Sequence, residues 1–299
     1  MRRRMLVRGA AAFGAAIALT AGTALPAAAH GSQGSPGSHG ARDYVALGDS
    51  YTSGPVIPVQ VDANCARSSS NYPNLVTARL RRTALTDVSC AGATTAQMWQ
   101  AQGTNPPQLD AVTKSADLVT LQIGGNDIGF GTIIGTCAYV AATAPTGSPC
   151  RAYYNASGTD QLEASIAQTA PKIAAVLAGI HKRAPHADVV VVGYPDLLPD
   201  SGVGCRPAVP FADGDFAYLR DTEKKLNAML ARQARAAHAT YVDTYAPTIG
   251  HDMCTAPGVR WIEPLAPASP AAPAHPNALG EQAMAAAVLD RLLCVRQAG

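Results

Sequence analysis

Three short polar stretches of this chain each follow a run of strand-forming residues, and together they offer a nucleophile and the donors that acyl transfer needs, though not the base. The first is DYVALGDSYTSG, Asp43 to Gly54. Tyr44-Val45-Ala46-Leu47 predicts a buried strand, and Gly48 and Asp49 turn the chain so that Ser50 stands at its carboxyl end. The second is the loop Ala91 to Thr95, after a short strand expected over Leu85 to Cys90. The third is Gly124-Gly125-Asn126-Asp127, after the apolar run Ala116 to Ile123. In an open parallel sheet such loops emerge on one side, at the crevice where ligands bind. Acyl transfer needs a nucleophile, a base and donors aimed at the oxyanion. Ser50 offers the hydroxyl, and the donors are the backbone N–H groups of Ser50 and Gly92 and the side-chain amide of Asn126. Each residue also has a plainer reading: Ser50 as a helix N-cap, Gly92 as a turn glycine, Asn126 as a turn or cap residue.

Histidine is the usual base near neutral pH. Of the seven, His30 and His39 lie in a Gly/Ser-rich stretch, His181, His186 and His238 lie at or near expected helix ends, and His251 falls beside Cys254. His275 differs. Pro276 holds its backbone extended, in an irregular segment leading into the last helix, where its side chain can be presented to a crevice.

GDSYTSG at 48–54, the glycine of CAGATT at 90–95, GGND at 124–127 and HPNALG at 275–280 stand in the order of the four sequence blocks of the SGNH, or GDSL-type, hydrolases. The chain resembles the secreted actinomycete, Streptomyces-type, esterases and lipases of that family over nearly its whole mature length. The resemblance implies a flavodoxin-like three-layer α/β/α sandwich with a central parallel sheet. It also implies Ser50 as nucleophile, His275 as base, an oxyanion hole of Ser50, Gly92 and Asn126, and no cofactor or metal. One departure stands out. Most of the family carries an aspartate three residues before the histidine, where this chain has Ala272, and no Asp or Glu lies between Glu263 and Glu281. Either a distant carboxylate or a backbone carbonyl must orient the imidazole, and the carbonyl of Ala272 is the expected choice; a carbonyl fixes the tautomer but stabilises an imidazolium less. The GxSxG elbow of α/β-hydrolases is missing, which argues against that fold.

The elements that must position these residues alternate along the chain. Helices are expected over Asn71 to Arg82, Asp160 to Ile180 with Asp160 and Glu163 at capping-box spacing, Phe216 to His238 and Asn277 to Leu293. Further strands are expected over Ala187 to Gly193 and Ala239 to Asp243. Gly129 to Gly158 reads as a long irregular insertion, and Tyr194 to Asp215 and Thr244 to Pro276 as loops. Continuously apolar strands alternating with helices predict one α/β domain, residues 43–299. Ile128, Phe130, Ile133 and Ile134, with Phe211, either line an acyl groove or form local core.

The first 29 residues read as a secretory signal: Arg2, Arg3, Arg4 and Arg8, then an Ala/Gly/Leu-rich run, then the small-residue site Ala27-Ala28-Ala29. The run is short for a membrane span, and Arg3-Arg4 hints at twin-arginine export. Residues 30–42 form a flexible lead-in. Without the signal, Lys+Arg falls from 23 to 19 against 21 Asp+Glu, a net charge of about −2, so no basic patch points to nucleic acid. Seven cysteines without a CxxC pair in an exported chain predict disulfides rather than metal ligands. The sequence leaves many pairings open. A preference for local closure gives Cys65–Cys90, Cys137–Cys150 and Cys205–Cys254, with Cys294 free, and these pairs also resemble the pattern of the secreted branch.

The expected protein is therefore a secreted, monomeric serine esterase or lipase acting on a small-molecule or lipid ester. A carbohydrate acetylesterase or phospholipase A on the same machinery is the alternative, and a non-catalytic secreted binding protein the reading from another class.

Overall fold

A computed structural model describes residues 41–297, with side chains given as far as Leu293. The expected signal and nearly all of the lead-in lie outside the described residues, as does the side chain of Cys294.

In chain order the elements are β1 Arg42–Gly48, α1 Ser50–Ser53, β2 Gln60–Asp62, β3 Arg67–Ser68, α2 Tyr72–Arg79, β4 Thr83–Asp87, β5 Ala116–Gln122, α3 Phe130–Thr143, α4 Pro149–Tyr154, α5 Gln161–Arg183, β6 Asp188–Val192, α6 Asp215–Ala236, β7 Thr240–Val242 and α7 Ala278–Gln297. The main sheet has the order β4-β1-β5-β6-β7, and every pair in it is parallel. Numbered by sequence within that sheet the order is 2-1-3-4-5, the flavodoxin-like winding, whose direction reverses between β1 and β5. The crevice at this switch point is where the chains carrying Ser50 and Asn126 leave the sheet.

Alternation along the strands builds the layers. Val45 and Leu47 of β1, Val119 and Leu121 of β5, and Val189 and Val191 of β6 face a core shared with α5 and α6. Tyr44, Ala46, Leu118, Val190 and Val192 face the opposite core, made with α2 and α7. Each fully buried valine or leucine contributes roughly 1.5–3 kcal/mol. A one-residue slip would exchange the two faces of a strand, so burial on both sides fixes the register.

Helix ends follow their expected caps. Asn71 caps α2 by accepting from Asn74 N, and Asp160 caps α5 by accepting from the amides of Leu162 and Glu163. The capping box at α5 is only half made, because the Glu163 side chain pairs with Lys225 of α6 instead.

Three expectations about the elements need correction, and one element is new. Residues 129–158 hold two helices, α3 and α4, rather than an irregular insertion: Ile133, Cys137 and Ala141 recur every four residues and are buried, a period masked in the sequence by Gly129, Gly131 and Gly135. β4 begins at Thr83 and ends at Asp87, because Cys90 has already turned back toward the end of β1. Arg42 opens β1 rather than closing a lead-in. The small antiparallel pair β2–β3 was not anticipated. The bridges Cys65–Cys90, Cys137–Cys150 and Cys205–Cys254 are all present.

Candidate active site

The switch-point crevice opens at the end of β1, where the chain folds directly into α1. Asp49, not Ser50, is the N-cap: its Oδ1 accepts from Tyr51 N at 2.9 Å, which leaves Ser50 as the first helical residue with its hydroxyl free. Gly48 permits this turn, since a side chain there would collide with Thr52 and come within 2.9 Å of the Gln122 carbonyl oxygen. The buried side chain of Gln108 pins the same point by accepting from Gly48 N at 2.8 Å and donating to Gly48 O at 2.9 Å.

His275 reaches Ser50 from the far end of the chain. Its Nε2 lies 2.7 Å from Ser50 Oγ, and its Nδ1 lies 2.7 Å from the carbonyl oxygen of Pro273. A carbonyl only accepts, so Nδ1 carries the proton and Nε2 is left to accept from the serine hydroxyl. The orienting carbonyl is therefore that of Pro273. The Ala272 carbonyl, expected in this role, accepts instead from the His275 backbone N–H at 3.2 Å, because Ala274 takes a left-handed conformation (φ 58°) that turns the chain between them. Among the described residues no carboxylate bonds to the ring. Tyr51 packs beside the imidazole at 4.9 Å between ring centroids, Phe130 meets it edge-on at 5.9 Å, and Tyr51 Oη donates to the Ala274 carbonyl at 2.6 Å. Burial pushes His275 below its ordinary value, and the bond to Pro273 opposes that shift.

Behind this loop stands Glu263, which the sequence did not single out. Its backbone exchanges hydrogen bonds with Ala274 and His275, donating to His275 O at 2.9 Å and accepting from Ala274 N at 3.0 Å. Its carboxylate accepts from Asn277 Nδ2 and from the amides of Ala268 and Ser269. Burial disfavours charge on Glu263, but those donors outweigh it and hold the group below its usual range. Asn277 in turn accepts from Leu279 N and Gly280 N, starting α7.

The Gly92 and Asn126 loops are tied to the end of β1 and to one another. Cys90 N donates to Gly48 O at 3.1 Å, drawing the Gly92 loop against the end of β1, and Gly92 sits at φ +79°, in the left-handed region glycine favours. Asn126 Nδ2 donates to Ala93 O at 2.9 Å with one hydrogen, leaving the other for a ligand. Asp127 fastens the two loops again, accepting from Thr95 N and Thr95 Oγ1. Beneath them Tyr194 Oη accepts from Gly125 N at 2.9 Å and donates to Asp49 Oδ2 at 2.6 Å. Burial pushes the Asp49 carboxyl up to about 7, against the lowering pull of the Tyr194 and Tyr51 hydrogen bonds.

Beside Ser50 runs a cleft walled by Ile128, Phe130, Ile133, Ile134, Leu197 and Leu219 among others. The four residues between 128 and 134 thus line the groove, whereas Phe211 is fully buried against Phe216 and belongs to the core.

Known proteins carry the same arrangement of sequence. Residues 46–283 match the model of the GDSL-like lipase/acylhydrolase family. The chain belongs to that family. Lipase 2 of Streptomyces coelicolor is 42% identical over 299 residues, 97% of each chain. The extracellular lipase of Streptomyces rimosus, a solved structure, superposes with a TM-score of 0.69 at 31% identity over 85% of this chain and 99% of its own. Phospholipase A1 of Streptomyces albidoflavus gives 0.70 at 28% identity, with the same coverage. The protein is a carboxylic ester hydrolase with the α/β fold of these neighbours.

Of the expected residues, the structure brings Ser50 and His275 into contact and sets Asn126 in the same cleft. Sequence reasoning did not single out Gln108 and Glu263, which brace the turns behind Ser50 and His275, or Tyr194, which lines the cleft. No local spacing marks such residues. The one available signal for Glu263 was its isolation, as the last carboxylate before a long stretch without any.

Proposed function

We propose that this chain is a secreted serine esterase or lipase whose nucleophile is Ser50 and whose base is His275, on one hydrolase domain spanning residues 43–299. The observation that carries the reading is the 2.7 Å contact between Ser50 Oγ and His275 Nε2 at one end of an apolar cleft. Ser50 Oγ attacks the ester carbonyl carbon as its proton passes to Nε2. The carbonyl oxygen becomes an oxyanion held by the N–H groups of Ser50 and Gly92 and the free hydrogen of Asn126 Nδ2. Collapse expels the alcohol, which takes the proton back from the imidazolium. Water then attacks the acyl-serine with His275 again as base, and the free acid leaves.

An apolar wall next to the nucleophile favours an acyl chain of several carbons over an acetyl group, hence esterase or lipase over carbohydrate acetylesterase. Export is supported by the N-terminal sequence and by the three disulfides, which fit an oxidising compartment. No described helix is long and apolar enough to cross a membrane.

Hydrolysis of a short-chain nitrophenyl ester by the mature protein tests the assignment. Ser50→Ala is expected to abolish turnover and labelling by a fluorophosphonate; wild-type activity in that variant would overturn the reading. A chain-length series of esters, extended to a triacylglycerol and a phospholipid, then ranks the substrates.

A further inference from the structure

The cleft beside Ser50 is apolar along most of its length, yet two adjacent polar residues of α6, Thr222 and Glu223, stand in its lining among Leu197, Leu198, Leu219, Leu226 and Met253. The structure leaves the Glu223 side chain incompletely bonded. Its Oε2 accepts weakly from Leu197 N at 3.3 Å, and its Oε1 is buried without a partner. Thr222 Oγ1 donates to Tyr218 O at 2.9 Å, which leaves its acceptor capacity free. An apolar residue at 223 would complete the wall, so an acid there costs stability unless something in the cleft uses it.

We propose that Glu223 is a specificity-determining residue that recognises an oxygen on the acyl chain, so that the preferred substrates are esters of hydroxy- or oxo-acids rather than of plain alkanoic acids. The inference rests on the reading of Ser50 as nucleophile and of the cleft as the acyl site. Burial, reinforced by the neighbouring Asp196 and opposed by the Leu197 N–H and by Lys224, pushes Glu223 well above the ordinary carboxyl value. That shift favours the neutral form, in which the carboxyl has an O–H to donate. The natural partner of such a donor inside a water-poor cleft is a neutral oxygen acceptor. A second carboxylate is unsuited, since Asp196 already crowds the site with acid, and a plain methylene leaves the donor unsatisfied. A hydroxyl on the chain can in addition donate to Thr222 Oγ1, whereas a ketone cannot, so a hydroxy-acid engages both residues and an oxo-acid only Glu223.

The test walks one hydroxyl along the acyl chain of nitrophenyl esters of fixed length and compares kcat/KM with that of the unsubstituted ester, for wild type, Glu223→Gln and Glu223→Leu. Wild type is expected to favour one hydroxyl position by roughly tenfold or more, the effect of satisfying one buried donor. Glu223→Gln, which keeps an N–H donor, is expected to retain much of that ratio, and Glu223→Leu to bring it to about one. A flat wild-type profile, or an unchanged ratio in Glu223→Leu, overturns the proposal. If Glu223→Leu fails to fold, the wild-type profile and Glu223→Gln still decide it. Ser50→Ala separates the two levels of inference: plain esters hydrolysed through Ser50 with no positional preference sink the specificity alone, whereas hydrolysis that survives Ser50→Ala sinks the function beneath it.

Discussion

His275 Nδ1 donates to the carbonyl oxygen of Pro273 across 2.7 Å, two residues back in its own loop, with no carboxylate in between. A carbonyl fixes the tautomer as an aspartate would, but it brings only a partial charge to balance the imidazolium. Burial against Tyr51 and Phe130 also disfavours the charged ring, and is the larger effect; the Pro273 bond opposes it without cancelling it. The base form therefore survives to lower pH than in an unperturbed histidine. The acid limb of kcat/KM, which reports the free enzyme, is expected below pH 6.5, the ordinary histidine value. A pH–rate profile on a neutral ester measures it directly, and an acid limb at or above 6.5 would show that something stabilises the imidazolium after all.

In the proposed reaction the Asn126 amide is shared between structure and chemistry. One hydrogen holds Ala93 O, and the other is free to meet an oxyanion. Removing an oxyanion donor costs roughly 10²–10³ in kcat. Asn126→Ala is therefore expected to lose that much kcat with KM nearly unchanged, as befits a contact made in the transition state. Asp127 still ties the Gly124–Asp127 loop to Thr95 in this variant, so the main chain is expected to stay in place. A loss confined to KM would assign Asn126 to substrate binding instead.

What the sequence made legible is the ends of strands. Apolar runs such as Val189 to Val192 and the polar turns after them are local signals, and the parallel winding turns them into a shared crevice; this is why Ser50, Gly92 and Asn126 could be singled out, whereas His275 was picked out by Pro276 and its place before the last helix. The α3 helix was not found, because three glycines interrupt a period that only its burial against the cleft makes plain. Ala272 was expected to orient His275, where Pro273 does, for a similar reason. Family spacing points three residues back from His275, while the actual partner depends on the left-handed turn at Ala274, which no side chain announces. Glu263 and Tyr194 act through folds of the chain far from their own positions, and only packing reveals them.

Asp49 links the turn at Ser50 to stability. Its carboxyl is 1% exposed and pushed up to about 7 from an ordinary value of 3.8. Between those values the folded state binds a proton that the unfolded state has released, so the Asp49 contribution to stability falls as pH rises through this window. An asparagine cannot ionise and escapes the effect, although it serves Tyr194 and the Tyr51 amide with one acceptor oxygen rather than two. The difference in Tm between Asp49→Asn and wild type is thus expected to shift in favour of the variant between pH 5 and pH 8, by roughly 2–4 °C for each kcal/mol involved. Thermal unfolding at several pH values measures this, and a difference independent of pH would place the Asp49 titration at its ordinary value.

The Cys205–Cys254 bridge closes a loop with a sequence separation of 49 and joins the two segments that meet at the cleft wall. Next to Cys254, Met253 lines the cleft and donates its backbone N–H to Leu197 O, and Leu197 lines the cleft too. Opening the bridge therefore acts on stability and on the cleft wall together. Loop closure of this length gives about 4 kcal/mol in the chain-entropy account, and native bridges commonly deliver about 2–5 kcal/mol. The double variant Cys205→Ala, Cys254→Ala is expected to unfold at lower denaturant by an amount in that range. Neither cysteine touches Ser50 or His275, so the fall in kcat/KM is expected to grow with acyl chain length and to be smallest for an acetyl ester. Denaturant unfolding combined with a chain-length series checks both. An equal loss for short and long chains would mean that the bridge supports the catalytic turn and not the cleft.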